Sequence, residues 1–261
     1  MKSTKYYLNR IIYYKEVVGV LAAKSLKVRY KNSILGFLWA LMNPLFMLLV
    51  FTFVFKRIAG MGIPNYTLYI CSGLMFWNLF ISSTAQTIGS IWGSGGILKS
   101  ISIPPAVFPL SILLSNFVNF IFMFLVFFVF MFFVGLEPSF KLLLIIPYCL
   151  VFLVFIYGFC LTLASFNVFF RDVEMFWTSI SPILFYMTPV VYNEPSIMKY
   201  LVFNPMTHFL ILARDILHLN ELSISDIPTK HYLIPLALSI IMFTIGQYTY
   251  NSLRRGFISN F

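Results

Sequence analysis

Long apolar runs alternate along this chain with short clusters of charge, and that spacing predicts helices that cross a bilayer. Uncharged runs fall at 33–55, 66–92, 106–136, 142–170, 175–193 and 232–253. At about 1.5 Å per helical residue, the shortest nearly matches a hydrocarbon core of about 30 Å. Unbroken apolar runs also argue against a β-barrel, whose strands alternate apolar and polar over about ten residues. Ahead of the first run, 6–30 reads as a basic amphipathic helix. Ile11, Tyr14, Val18, Leu21 and Val28 mark one face, while Lys5, Asn9, Glu16, Lys24, Lys27 and Lys31 lie largely off it. Such a helix is too polar to span and suits the membrane surface.

The few polar positions inside the runs are patterned. Asn78, Ser82 and Gln86 recur every four residues, as do Ser111, Ser115 and Asn119. Each set marks a helix face turned to protein, because polar groups in hydrocarbon need partners. In the fifth run Thr178, Ser181, Phe185, Thr188 and Tyr192 share one face, which could line a path for a polar cargo or pack on another helix. Pro182 and Pro189 predict a bend or local unwinding there. Gly89 and Gly93 form one G-x-x-x-G, a weak signal for a contact face.

Composition supports this picture. The 261 residues are 60% hydrophobic and 10% charged, with a mean hydropathy of +0.91, far from the roughly 25% charge of soluble domains. The expectation is an all-α polytopic membrane protein with six transmembrane helices. An amphipathic interface helix (1–32) precedes them and a short tail (254–261) follows. Within 33–253 lie a short segment bounded by glycines and prolines at 93–105 and a long connection at 194–231. The apolar stretch 200–213 in that connection is too short to span, so re-entrant or interfacial helices are expected there.

The net charge of +10 does not point to nucleic acid, because eight of the 18 basic residues precede Asn32 and the rest flank apolar runs. With the N-terminus inside, twelve Lys/Arg fall on that side and six on the other, which places both termini in the cytoplasm. No signal peptide is expected, since the basic first 32 residues lack an apolar core. Cys71, Cys149 and Cys160 sit in apolar runs without metal-ligand spacing.

Chemistry is sparse. Gly95-Gly96-Ile97-Leu98-Lys99-Ser100 has the wrong spacing for a P-loop, and neither H-E-x-x-H nor G-x-S-x-G occurs. His208, His218 and His231 lie in one connection, and all eight acids lie in loops or flanks. That disfavours a proton- or sodium-driven carrier, so the energy source is expected on another chain. No metal site and no catalytic residue is expected. Aromatics make up 50 of the 261 residues; they suit lipid and helix packing, and an aromatic path would also suit a glycan.

Several segments together resemble one family. Arg171-Asp172-Val173, then Pro182, then Phe185-Tyr186-Met187-Thr188-Pro189-Val190-Val191-Tyr192, is similar to the fifth-span motif of type-2 ABC exporter permeases. Leu26-Lys27-Val28-Arg29-Tyr30-Lys31 leading to Trp39 and Asn43-Pro44 resembles the family's entry to its first span. Leu98-Lys99-Ser100-Ile101 through Pro104 resembles its cytoplasmic coupling segment, and Asn204-Pro205-Met206 through Arg214-Asp215 its external segment before the last span. The subgroup it most resembles exports O-antigen, capsule or teichoic acid.

The resemblance implies a permease subunit in the bacterial cytoplasmic (inner) membrane. It would act as a homodimer with two copies of a P-loop ATPase, which bind ATP and Mg, and export a lipid-linked polysaccharide. By the same resemblance, Trp39, Asn43, Thr178, Ser181, Phe185, Tyr186, Thr188 and Tyr192 would line the substrate path. Ile97, Leu98, Lys99, Ser100 and Ile101 would couple to the ATPase. Asn204, Pro205, His208, Arg214 and Asp215 would belong to an external gate, and Arg171, Asp172 and Glu174 to a cytoplasmic charge cluster. An exporter of drugs or small lipids, and a membrane-embedded enzyme or scaffold of envelope synthesis, are the alternatives.

Overall fold

In the computed structural model the described residues are 4–31, 33, 36, 38–58, 63–101, 103–136, 140–192, 200–217, 219, 230–257 and 260. They are all-α, as the apolar runs predict, with no strand among the described residues. The order is α1 (Thr4–Tyr30), α2 (Leu38–Phe51) running into a π-helical stretch (Thr52–Ile58), α3 (Tyr66–Ile88), α4 (Ser90–Gly93) and α5 (Gly95–Ser100). There follow α6 (Val107–Val134), a 3-10 turn (Phe140–Leu144) leading into α7 (Ile145–Phe169), α8 (Asp172–Tyr186), α9 (Pro205–Ile216) and α10 (Lys230–Leu253).

Four helical stretches are long and apolar enough to cross a membrane: Tyr66–Ile88, Val107–Val134, Phe140–Phe169 and Leu233–Gly256. Helices α2 and α8 are shorter, at 14 and 15 residues. The chain leaves α8 at Met187, just before Pro189, whose ring disfavours the helical conformation of the residue ahead of it. Pro182 and Pro44 lie within helices that continue past them. Asp172 and Glu174 form the first turn of α8, where carboxylates complement the helix dipole.

Helix α3 is the centre of the molecule, with α6, α7, α8, α9 and α2 around it. Its core is aromatic: the Phe76 ring lies 5.1 Å from Phe120, 5.3 Å from Tyr148 and 5.8 Å from Phe152. Phe209 of α9 reaches the same cluster, 4.7 Å from Phe155. Lipid is as apolar as these rings, so such contacts stabilise through close packing and ring geometry, roughly 0.5–1.5 kcal/mol per pair in soluble cores.

The other strong pairing, α7 with α10, is built on glycine. A Cβ on Gly158 would stand 2.4 Å from the Met242 carbonyl oxygen, and one on Gly246 would stand 2.4 Å from that of Gly158. Ser239 adds an interhelical hydrogen bond to the Val151 carbonyl at 2.9 Å. Gly89 and Gly93, by contrast, have no neighbour within 4 Å of such a Cβ.

Helix α1 lies mainly on α6. Val18 is buried, and Tyr14, Leu21, Leu26 and Tyr30 are half-buried, while Val28 is 62% exposed. Placing Val28 on the contact face is therefore corrected: in the last turn Arg29 reaches α6 and α3, and Val28 points away from them.

Candidate functional site

The residues expected to line a path fall into two groups. Trp39 (44% exposed) and Asn43, on α2, stand on the wall of a cleft of about 710 Å³ between α1, α2, α3 and α6. The α8 residues do not line this cleft. Along α8 the polar face turns gradually inward. Thr178 is exposed and caps the Glu174 carbonyl, and Ser181 donates to the Thr178 carbonyl at 3.3 Å. Phe185 packs between Phe51 (5.9 Å) and Trp77 (5.4 Å). Thr188 is fully buried, and Tyr192 donates to the Tyr186 carbonyl. Tyr186 itself is 66% exposed, beside exposed Phe176, Ile183 and Met187.

At the end of α3 away from α1, the segment after α8 is held by α3 and α9. Asn204 caps α9, its side-chain oxygen accepting from the Met206 amide at 3.0 Å, with Pro205 in the first helical turn. Its Nδ2 donates to Thr188 Oγ1 (2.8 Å) and to the Met187 carbonyl (3.0 Å). One side chain thus starts α9 and ties it to the end of α8. Asn204→Ala is expected to cost roughly 1–2 kcal/mol. That would appear as a lower thermal midpoint of the detergent-solubilised protein, and an unchanged midpoint would refute the assignment.

Arg214 completes this arrangement. It is 3% exposed, with its guanidinium carbon 3.5 Å from the Tyr69 ring centroid. It donates to the Tyr69 hydroxyl (2.7 Å), the Pro189 carbonyl (2.7 Å) and the Val190 carbonyl (2.8 Å), with longer bonds to Ser72 Oγ and the Tyr69 carbonyl. Tyr66 and Tyr69 donate in turn to the carbonyls of Val191 (2.7 Å) and Tyr192 (2.8 Å). Among the described residues no carboxylate reaches Arg214; carbonyls and hydroxyls solvate its charge. His208, in the same helix, donates from Nε2 to the Val202 carbonyl at 2.8 Å, and Asp215 is half-buried. Residues 194–199, 218 and 220–229 of the expected gate lie outside the described residues.

At the opposite end, Arg171 places its guanidinium 4.5 Å from the Trp92 ring centroid, joining the start of α8 to α4. The coupling segment forms α5, in which Ile97 and Lys99 are exposed and Ser100 donates to the Gly96 carbonyl at 2.9 Å. Ile101 follows in extended conformation and is 52% exposed. Leu98 turns inward onto a small cluster with Ile91, Tyr250 and Phe257.

Sequence reasoning missed Gly73, which lies opposite Arg214: a Cβ there would meet the Val190 carbonyl at 2.6 Å and the guanidinium at 2.8 Å. It also missed Tyr66 and Tyr69 as hydrogen-bond donors. Their place at the start of an apolar run fits an interfacial belt equally well, so nothing in the sequence separates the two roles.

A helical chain with several membrane-crossing helices, a buried cation near one end and exposed apolar helix faces is a multi-pass membrane protein. It belongs to the ABC-2 type transporter family, which matches residues 16–218. Two Klebsiella pneumoniae proteins named O-antigen export system permease protein RfbA are 30% and 32% identical over 250 and 251 residues. Those matches span 94% of this chain and 95% of each relative. A Myxococcus xanthus protein of the same name is 27% identical over 251 residues, with the same coverage.

Proposed function

We propose that this chain is the permease subunit of an ATP-driven exporter that moves a lipid-linked cell-surface polysaccharide out across the cytoplasmic membrane. The observation that carries the proposal is the end-to-end similarity to O-antigen export permeases, over 94% of the chain. In this reading α2 and α8 complete six spans and both termini are cytoplasmic, in keeping with the bias of basic residues. Two copies pair, each with a P-loop ATPase that binds ATP and Mg, because this chain carries no P-loop of its own.

The exposed Ile97, Lys99 and Ile101 give the ATPase a graspable surface at the end where Arg171 and Trp92 meet. Movement there passes to α8 through its first turn. The apolar, partly aromatic outer faces of α2 and α8 suit a path whose walls must slide along a glycan without holding it. The exposed Tyr186 and Trp39 offer ring faces to sugar C–H surfaces.

Depleting the protein in its native host, then measuring surface glycan and the lipid-linked pool inside the membrane, tests this reading. Loss of surface glycan with accumulation of lipid-linked glycan inside is the expected outcome. Normal surface glycan with altered drug sensitivity would replace the polysaccharide with a small exported molecule. Co-purification in mild detergent is expected to bring down a P-loop ATPase in roughly equal amount, and its absence after crosslinking would remove the transport role.

A further inference from the structure

The cleft beside α1 joins a positioned cation at its rim to an apolar slot. At its rim Arg29 donates to Asn116 Oδ1 at 3.0 Å and to Gln86 Oε1, and Asn116 Nδ2 also donates to Gln86 Oε1 at 3.4 Å. The guanidinium is held by two neutral amides and by no carboxylate among the described residues, so its positive charge is positioned but not neutralised. Lys24, Lys27 and Lys31 are exposed on other sides of the same end of α1.

Further in, the wall is rich in hydrogen-bond donors. Ser82 lies one helical turn beyond Gln86 on α3, and Asn119 three residues beyond Asn116 on α6, about 4.5–6 Å deeper than the rim. Asn119 Oδ1 accepts from the Tyr30 hydroxyl at 3.4 Å, which leaves its NH2 group facing the cleft. The Ser82 hydroxyl makes no hydrogen bond to protein among the described residues. Arg29 at the rim and Ser82 and Asn119 further in thus offer donors, beside the amides of Asn43 and Asn78, in a slot whose apolar lining includes Phe46, Met47, Val50, Phe120 and Met123. An unpaired donor facing hydrocarbon is costly, so such a wall calls for an acceptor-bearing ligand with an apolar body.

We propose that this cleft binds one anionic phospholipid, drawn from the leaflet on the α1 side. The phosphate sits on Arg29 and the glycerol ester carbonyls, which lie a few ångströms below a phosphate, sit on Ser82 and Asn119. One acyl chain runs between α2 and α6. A lipid seated there fills the space between α1 and α2 and so fixes where the interface helix meets the first helix of the membrane domain. Arg29 at the rim, with the basic end of α1 beside it, favours an anionic headgroup over a zwitterionic one.

The test uses the full-length chain purified in mild detergent, with retained lipids quantified by mass spectrometry. Binding is then measured in phosphatidylcholine nanodiscs titrated with phosphatidylglycerol, following tryptophan fluorescence, with Trp39→Phe identifying the part of the signal that comes from the cleft wall. The expected result is one phosphatidylglycerol retained per chain and a saturable response, weakened about tenfold by Arg29→Gln. Asn119→Leu and Ser82→Leu leave the arginine cluster intact and are each expected to weaken retention severalfold while the protein stays monodisperse. If Arg29→Gln does not fold, Ser82→Leu decides the matter, because that hydroxyl has no protein partner among the described residues to lose. Equal lipid content in wild type and Ser82→Leu would mean boundary lipid only and overturn the proposal. Retention of a glycosylated isoprenoid in place of phospholipid would overturn it as well and assign the cleft to the exported substrate.

Discussion

Gly158→Leu is expected to prevent assembly of the membrane domain, whereas Gly93→Ala, at a glycine that faces open space, is expected to leave stability within about 1 kcal/mol. The difference lies in what each glycine faces. Gly158 and Gly246 meet backbone to backbone, so a β-carbon at 158 would lie 2.4 Å from the Met242 carbonyl oxygen and 2.7 Å from the Phe243 nitrogen. Backbone cannot rotate out of the way as a flexible side chain can. Reaching ordinary contact at 3.4 Å requires the two helices to separate by about 1 Å along their shared length. In lipid no hydrophobic force restores the pairing once that packing is lost.

Overpacking of well-packed interiors costs roughly 1–3 kcal/mol, and here the clash also breaks the Ser239–Val151 hydrogen bond, so about 3 kcal/mol or more is expected. Fluorescence-detected size exclusion of detergent extracts measures it directly. A monodisperse peak and a wild-type thermal midpoint for Gly158→Leu would refute the close-contact account.

The same comparison shows what was legible in the sequence. Helix class and the apolar runs follow from composition and spacing, since a 20-residue uncharged stretch has few folds open to it. The two polar stripes were legible too: Asn78 and Ser82 on α3, and Asn119 on α6, turn toward one cleft. Ser111 and Ser115 are instead buried between helices. Glycine contacts were not legible, because a close approach depends on which helix lies opposite. The only glycine pair with the familiar four-residue spacing, Gly89 and Gly93, faces open space, and the close contacts use Gly158 and Gly246 from different helices. The α8 stripe was read as one helical face, but only Thr178, Ser181 and Phe185 lie on the helix; Thr188 and Tyr192 fall in the turn beyond its end. Those two positions meet α9 and α3, because the chain leaves the helix before Pro189, and periodicity cannot show what an unwound segment touches.

Arg214→Lys is expected to be nearly as damaging as Arg214→Leu, and this near-equality is the sharper prediction. A lysine keeps the charge but loses the planar fork that reaches the Tyr69 hydroxyl on one side and the carbonyls of Pro189 and Val190 on the other. Leucine leaves those two carbonyls without their guanidinium partner in a buried site, at roughly 1–3 kcal/mol each. Lysine recovers at most part of this, and its compact ammonium cannot lie flat on the Tyr69 ring. Gly73→Ala attacks the same contact from the opposite side, since its β-carbon would stand 2.6 Å from the Val190 oxygen. All three variants should release the 189–192 segment from α3. Cysteines placed at Thr188 and Asn204, whose side chains touch in the native protein, should then crosslink more slowly. If the chain exports a glycan as proposed, the same variants should also reduce surface glycan more than they reduce the amount of protein in the membrane, because the clamp fixes the end of α8 where the path opens. A lysine variant with wild-type crosslinking and stability would show that charge alone holds this site and that the fork geometry is incidental.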